Sequence, residues 1–289
     1  MTPELIGHRG ARSLFPENTI AGFRAALAAG VLHFEIDIAM TRDGVLVLSH
    51  DPCLSPDLTR GPDGGWITAT DLAIHDMDHA QLARFDVGRL RPGSRTARRF
   101  SRQTPVDGAG IPTLEEVLRL HSRARWTLEI KTHPNHPNRT AAPEAIAEAM
   151  AVVADRAGAT KRIVVQSFDW RGPRHLRRLR PDLAYAWLTV RSTRAWRGGQ
   201  AGLPGTVAAE GGGTWSPHHS ELTPRLLDRA RAMGLRVVPW TANAPSDIAR
   251  LARWGVDGII TDDPLVARVV LQPPAPPGAP EPPPHPDPR

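Results

Sequence analysis

The sequence predicts an α/β protein built as a (β/α)8 barrel, and three observations carry that prediction. Short apolar runs alternate with helical patterns along the chain. One of these runs returns through a turn too tight to hold a helix, so it is a hairpin arm, and eight strands with crossovers remain. Residues 1–271 contain no internal linker, and a single barrel domain takes about 250 residues. A doubly wound sheet satisfies the alternation as well; the count of eight units favours the barrel.

The strands are the runs at 4–8 (ELIGH), 33–38 (HFEIDI), 45–49 (VLVLS), 127–131 (TLEIK) and 162–167 (RIVVQS). Those at 183–188, 214–217, 236–241 and 258–262 complete the set. Between them lie TIAGFRAALAAG, APEAIAEAMAVVADRAG, TPRLLDRARAMG and PSDIARLARWG. Several of these open at Thr or Ser and close at Gly, as capped helices do. The hairpin turn is TRDG within Met40–Val45, and residues 52–110 form an insertion after it, inside the same domain. The segment 272–289 holds ten prolines and no apolar periodicity, which predicts an extended, disordered tail.

Of the 289 residues, 40% are hydrophobic, enough for one large core. No apolar run approaches the roughly eighteen residues of a membrane span. Met1 is followed by TPELIGHRG, which has neither the basic start nor the apolar stretch of a secretory signal, so a cytoplasmic location is expected. The single cysteine, Cys53, excludes an internal disulfide and any multi-cysteine metal centre. The net charge of +6 rests on arginine, since Lys131 and Lys161 are the only lysines. No basic run is interleaved with aromatics, so a small anionic substrate fits the charge better than nucleic acid.

In a barrel the active face is built from strand C-termini. The first strand ends in His8-Arg9-Gly10. In the second, Glu35 and Asp37 share a face, with Phe34, Ile36 and Ile38 on the other. TLEIK repeats the arrangement with Glu129 and Lys131. Carboxylates inside apolar strands are costly unless paired or metal-bound. They form either an ion-pair network with Arg9 and Lys131 or a hard-cation site for Mg²⁺ or Ca²⁺. A turn centred near Asp43 and Gly44 pairs positions that sum to about 86, setting His50 opposite Ile36 beside those carboxylates. Two histidines, a cation and two basic side chains suit a phosphate ester.

HRG-x5-PENT (His8 to Thr19), FEID, T-x-D-G-x5-H-D (Thr41 to Asp51) and LEIK resemble the glycerophosphodiester phosphodiesterase family, and IPTLEEVL, QSF, WTAN and GVDGIITDDP continue the match in register. The resemblance runs from Leu5 to Pro264. It implies a TIM barrel and metal-dependent hydrolysis of a glycerophosphodiester, such as glycerophosphocholine or glycerophosphoethanolamine, to sn-glycerol 3-phosphate and an alcohol. A place in glycerophospholipid and glycerol metabolism is the expectation that follows from this resemblance.

Residue by residue, the resemblance implies Glu35, Asp37 and Glu129 as ligands of one divalent cation, Mg²⁺ or Ca²⁺. It makes His8 and His50 the acid/base pair and sets Arg9 and Lys131 on the phosphate. Trp240, at a strand end, and Phe168 are expected to be rim aromatics for the glycerol rather than plain core. Asp51 is expected to orient a neighbour rather than bind metal. Glu17 and Asn18 are expected to cap the first helix. Where the family often has Gly-Ala-Asp before the second strand, this chain reads Gly30-Val31-Leu32. The insertion is rich in arginine (Arg91, Arg95, Arg98, Arg99, Arg102) and is expected to cap the site and help choose the headgroup. Two alternatives stand beside this reading: a lysophospholipase D-like enzyme acting on lipids, and a non-catalytic phosphodiester-binding protein.

Overall fold

The computed structural model describes residues 2–133, 137–191 and 202–272. The proline-rich stretch from residue 273 onward lies outside the described residues. In chain order, β1 (Glu4–His8) leads to α1 (Ile20–Ala28) and to β2 (His33–Met40), which pairs antiparallel with β3 (Leu46–Leu48). The insertion carries the short helices α2 (His79–Leu82) and α3 (Arg95–Arg99), after which α4 (Leu114–Leu118) returns the chain to the barrel. Then follow β4 (Arg125–Ile130), α5 (Pro143–Arg156), β5 (Ile163–Ser167), α6 (Arg171–Leu179) and β6 (Ala184–Thr189). The chain ends in α7 (Leu203–Ala209), β7 (Thr214–Pro217), α8 (Pro224–Ala232), β8 (Arg236–Val237), α9 (Pro245–Trp254), β9 (Gly258–Thr261) and α10 (Pro264–Leu271).

Eight parallel strands lie in the order β8-β7-β6-β5-β4-β2-β1-β9, and β8 and β9 meet to close the barrel. Backbone bonds from Asp257 N to Val237 O, Ile260 N to Pro239 O and Ala242 N to Ile260 O, each 3.0 Å, make that seam. The Asp257 carboxylate adds another by accepting from Val237 N at 2.7 Å. The expected strand at 236–241 is regular only over Arg236–Val237, because Pro239 interrupts it and has no N–H to give. The hairpin has the register its turn implies: Ile38 pairs with Leu48, Ala39 with Val47 and Met40 with Leu46.

Strand periodicity splits the side chains between two environments. Phe34, Ile36, Ile38, Trp126 and Leu128 point out of the barrel into a continuous apolar layer under the helices. There Phe23 of α1 meets Phe34 and Trp126 edge-on at centroid distances of 5.5 and 5.4 Å. Cutting any of these rings to alanine costs about 3–5 kcal/mol. The barrel interior is largely polar, with Ile6, Val238 and Ile260 forming a small apolar layer in it. The insertion has its own apolar cluster, in which Leu54, Ile74, Leu82 and Ile111 pack on Ala39 and Val47 of the hairpin. Among the described residues no helix is long and apolar enough to cross a membrane.

Candidate active site

The two-residue period of the strands puts His8, Glu35, Asp37, Glu129 and Lys131 at the C-terminal end of the barrel, as the sequence predicts. A cavity of about 90 Å³ opens there, lined by His8, Arg9, Glu35, His50, Glu129, Lys131, Phe168 and Trp240. Asp37, with no exposed surface, lies within the same group. A larger cleft of about 260 Å³, lined by Thr2, Leu5, Val31, Leu32, Pro264 and Arg268 among others, holds no carboxylate or imidazole.

Glu35, Asp37 and Glu129 are buried and offer oxygens that all lie within 4.8 Å of one another. Lys131 Nζ is 2.8 Å from Glu129 Oε1 and 3.3 Å from Asp37 Oδ1. Arg9 Nε is 3.0 Å from Asp37 Oδ2, and Asn18 Nδ2 donates to the same oxygen at 3.0 Å. Burial opposes ionisation of Asp37, but Arg9 and Lys131 outweigh it and hold its carboxyl well below the usual range. Glu35 goes the other way: burial first, then the charges of Asp37 and Glu129, push its pKa well up. Gln166 Nε2 donates to Glu35 Oε1 at 3.3 Å, while Glu35 Oε2 is buried with no hydrogen-bond partner. The ion pairs therefore exist but leave this carboxylate unsatisfied. An all-oxygen donor set with an orphaned buried oxygen fits Mg²⁺ or Ca²⁺.

The loop after β1 assembles this group through an unusual backbone. Arg9 (φ 52), Gly10 (φ 98) and Asn18 (φ 53) are left-handed. A Cβ on Gly7 would lie 1.9 Å from Gly10 O, so the fold-back requires glycine there. Glu17 and Asn18 do not cap α1 as expected. Thr19 does, accepting from Gly22 N at 3.0 Å. Glu17 instead pairs with Arg9 Nη1 at 2.8 Å and Arg12 Nη2 at 2.6 Å, and Asn18 serves Asp37.

Each histidine turns Nδ1 to a carboxylate. His8 Nδ1 is 2.5 Å from Asp262 Oδ1, and its Nε2 is 3.7 Å from Glu35 Oε2. Burial and then Arg9 bring the His8 pKa down to about 4, against the pull of Asp262. His50 Nδ1 is 2.7 Å from Asp51 Oδ1. Trp240 and Phe168 meet edge-on at 5.2 Å, and the indole donates to Ser216 O at 3.0 Å. The insertion reaches the same end of the barrel: Arg99 Nη2 is 3.8 Å from Asp262 Oδ2, Arg102 pairs with Asp263, and Gln103 Nε2 donates to Arg12 O at 2.8 Å.

Residues 8–266 match the sequence model of the glycerophosphoryl diester phosphodiesterase family. The chain belongs to this family. It is 37% identical to a candidate glycerophosphoryl diester phosphodiesterase from Silicibacter pomeroyi DSS-3, with a TM-score of 0.88 and 93% of each chain covered. The glycerophosphodiester phosphodiesterase of Caldanaerobacter subterraneus subsp. tengcongensis is 27% identical over 90% of this chain and 94% of that protein. A phosphodiesterase of Oleispira antarctica, solved with the product sn-glycerol-3-phosphate, is 23% identical with a TM-score of 0.72, covering 93% of this chain and 97% of its own. This family member is thus a phosphoric diester hydrolase on a TIM barrel. Sequence reasoning missed Gln166, Asn243 and Asp262, whose strand parity, or a place next to a strand end, carries them to the same cavity or its wall.

Proposed function

We propose that this chain hydrolyses glycerophosphodiesters to sn-glycerol 3-phosphate and an alcohol, using one divalent cation and the histidine pair His8 and His50. The observation that carries this reading is the buried, incompletely neutralised carboxylate trio beside two imidazoles in one cavity. Arg9, Arg12 and Lys131 pair with Glu17, Asp37 and Glu129, whereas among the described residues no arginine or lysine pairs with Glu35. A divalent cation on the trio would give Glu35 the positive partner it lacks. The glycerol phosphate held by the Oleispira relative supports the choice of ester.

A Mg²⁺ or Ca²⁺ ion on Glu35, Asp37 and Glu129 would supply Lewis acidity at the phosphoryl oxygens. Arg9 and Lys131 line the cavity and place two fixed positive charges against the diester. One imidazole takes the proton of the glycerol 2-hydroxyl as that oxygen bonds to phosphorus, and the other gives a proton to the departing alcohol. Water then opens the cyclic phosphate with the roles reversed. Trp240 and Phe168 offer apolar faces to the glycerol carbons.

Turnover of glycerophosphocholine by metal-stripped protein, before and after adding Mg²⁺ or Ca²⁺, tests the reading. Glycerol 3-phosphate that appears only with the cation is expected. Phosphocholine as product, or turnover indifferent to chelation, overturns it; activity confined to lysophospholipids transfers the site to lipid substrates.

A further inference from the structure

We infer that Asp262 is a positioning residue for this reaction: its carboxylate keeps the His8 proton on Nδ1 and so turns an unprotonated Nε2 to the cavity. The inference rests on the function proposed above, with His8 as the proton acceptor. Gly7 and Thr261 are register partners in β1 and β9, so His8 and Asp262 are the next residues along two adjacent strands. Their side chains meet at 2.5 Å, with Asp262 1% exposed.

The carboxylate is itself clamped. Asn243 Nδ2 donates to Asp262 Oδ2 at 2.8 Å, while Asn243 Oδ1 accepts from Asp262 N at 2.8 Å and from Thr261 Oγ1 at 3.2 Å. Those donors fix which end of the Asn243 amide faces the carboxylate. An ionised carboxylate only accepts, so the shared hydrogen belongs to His8 Nδ1, and in the neutral ring the lone pair is then on Nε2. Arg99 of the insertion stands 3.8 Å from the same carboxylate and adds positive charge beside it.

The proton balance follows. His8 Nε2 takes the proton of the glycerol 2-hydroxyl as the new O–P bond forms and the P–O bond to the alcohol breaks, and that alcohol takes a proton from His50. In the second half, water gives a proton to His50 and His8 returns its own to the 2-oxygen. Asp262 stabilises the imidazolium between the two halves without accepting a proton.

Asp262→Asn is the test, because an amide N–H aimed at Nδ1 forces the hydrogen to Nε2 and removes the acceptor. In the full chain with Mg²⁺, kcat on glycerophosphocholine should fall about 10³- to 10⁴-fold while KM and Mg²⁺ affinity stay within about 3-fold. Nitrogen-15 spectra of labelled histidine should show the Nδ1–H tautomer of His8 in the wild type and the Nε2–H tautomer in the variant. That second measurement does not depend on turnover. An inactive wild type would overturn the proposed function and still leave the tautomer to judge Asp262. An Nε2–H tautomer in the wild type, or a folded Asp262→Asn with kcat within about 3-fold of it, overturns the inference. If Asp262→Asn fails to fold, Asn243→Ala leaves the carboxylate in place but unclamped. A kcat loss of about 10-fold at unchanged KM is then expected, and an unchanged kcat is contrary.

Discussion

His8 and His50 line one cavity, and each presents Nδ1 to a carboxylate, yet the support behind them differs. The His8 side chain is 13% exposed and its partner Asp262 lies 254 residues away, just past the end of a neighbouring strand. His50 is 38% exposed, and its partner is the next residue, Asp51, at the end of a hairpin arm. Burial leaves the His8 imidazole without a proton, so in the proposed mechanism its ring is free to take one from a substrate hydroxyl held inside the barrel. The pull of Asp262 offsets the weaker basicity that burial brings. A ring open to water suits the other task, giving a proton to an alcohol that varies between substrates and leaves toward solvent.

The sharpest way to break this comparison is to change the leaving group. His8→Ala should lower kcat about 10³-fold on glycerophosphocholine and on a glycerophospho-4-nitrophenol alike. His50→Ala should cost about 10³-fold on the first but only about 10-fold in the single-turnover release of nitrophenolate from the second, since nitrophenolate departs without a proton before the cyclic phosphate is opened. Equal losses on both esters would end the division of roles. Next in size, Glu35→Gln should weaken cation binding about 100-fold or more by calorimetry, because the oxygen that now lacks a partner is the one changed. Asp51→Asn should reduce kcat about 10-fold at most, as solvent and salt already compete for that exposed pair.

A third histidine separates burial from catalysis. His33 is buried like His8, but within the barrel its Nδ1 meets Glu4 at 2.9 Å and its Nε2 meets Thr127 Oγ1 at 2.9 Å. Burial lowers its pKa, against the pull of Glu4. Burial would raise the Glu4 pKa, but His33, Arg125 and Arg236 together lower it to about 2. Both shifts act with one sign. A histidine kept neutral in the fold loses stability for it as pH falls below its unfolded value of 6.5. A carboxylate with a depressed pKa loses its contribution as pH falls from 4.5 toward about 2. Thermal unfolding between pH 7 and pH 3 should show this decline, and Glu4→Gln should cost about 1–2 kcal/mol at pH 7 and flatten its lower part. Activity per folded molecule should not change in that variant.

Local rules made most of the barrel and much of the site legible. The hairpin register followed from where TRDG must turn, and strand parity grouped Glu35 with Asp37 and Glu129 with Lys131. The same parity, carried to the last strand, sends Gly258, Ile260 and Asp262 inward, and closure of the barrel sets that strand beside the first. In the pair Asp262-Asp263 one residue faces the cavity wall and the other caps α10 by accepting from Val266 N at 2.9 Å. Parity points to Asp262, but that residue lies just past the regular end of β9, where the alternation need not continue. PENT misled for a related reason: a capping pattern fits its sequence, but the left-handed Asn18 turns the side chain to Asp37. Such a backbone is stable only because the partners it meets come from elsewhere in the chain.

The join between β8 and β9 rests on three backbone hydrogen bonds and one borrowed from Asp257, whereas β2 and β4 pair over six residues. A circle of strands opens readily where its fastening is thin, so amide exchange should be faster along 236–242 than along β2 and β4. Trp240 is carried on that segment and Asn243 directly after it. Breathing at the join therefore loosens an aromatic wall of the cavity and the clamp on Asp262 together. A cross-link or a stiffer strand there would trade the looseness of that wall against the steadiness of the His8 imidazole.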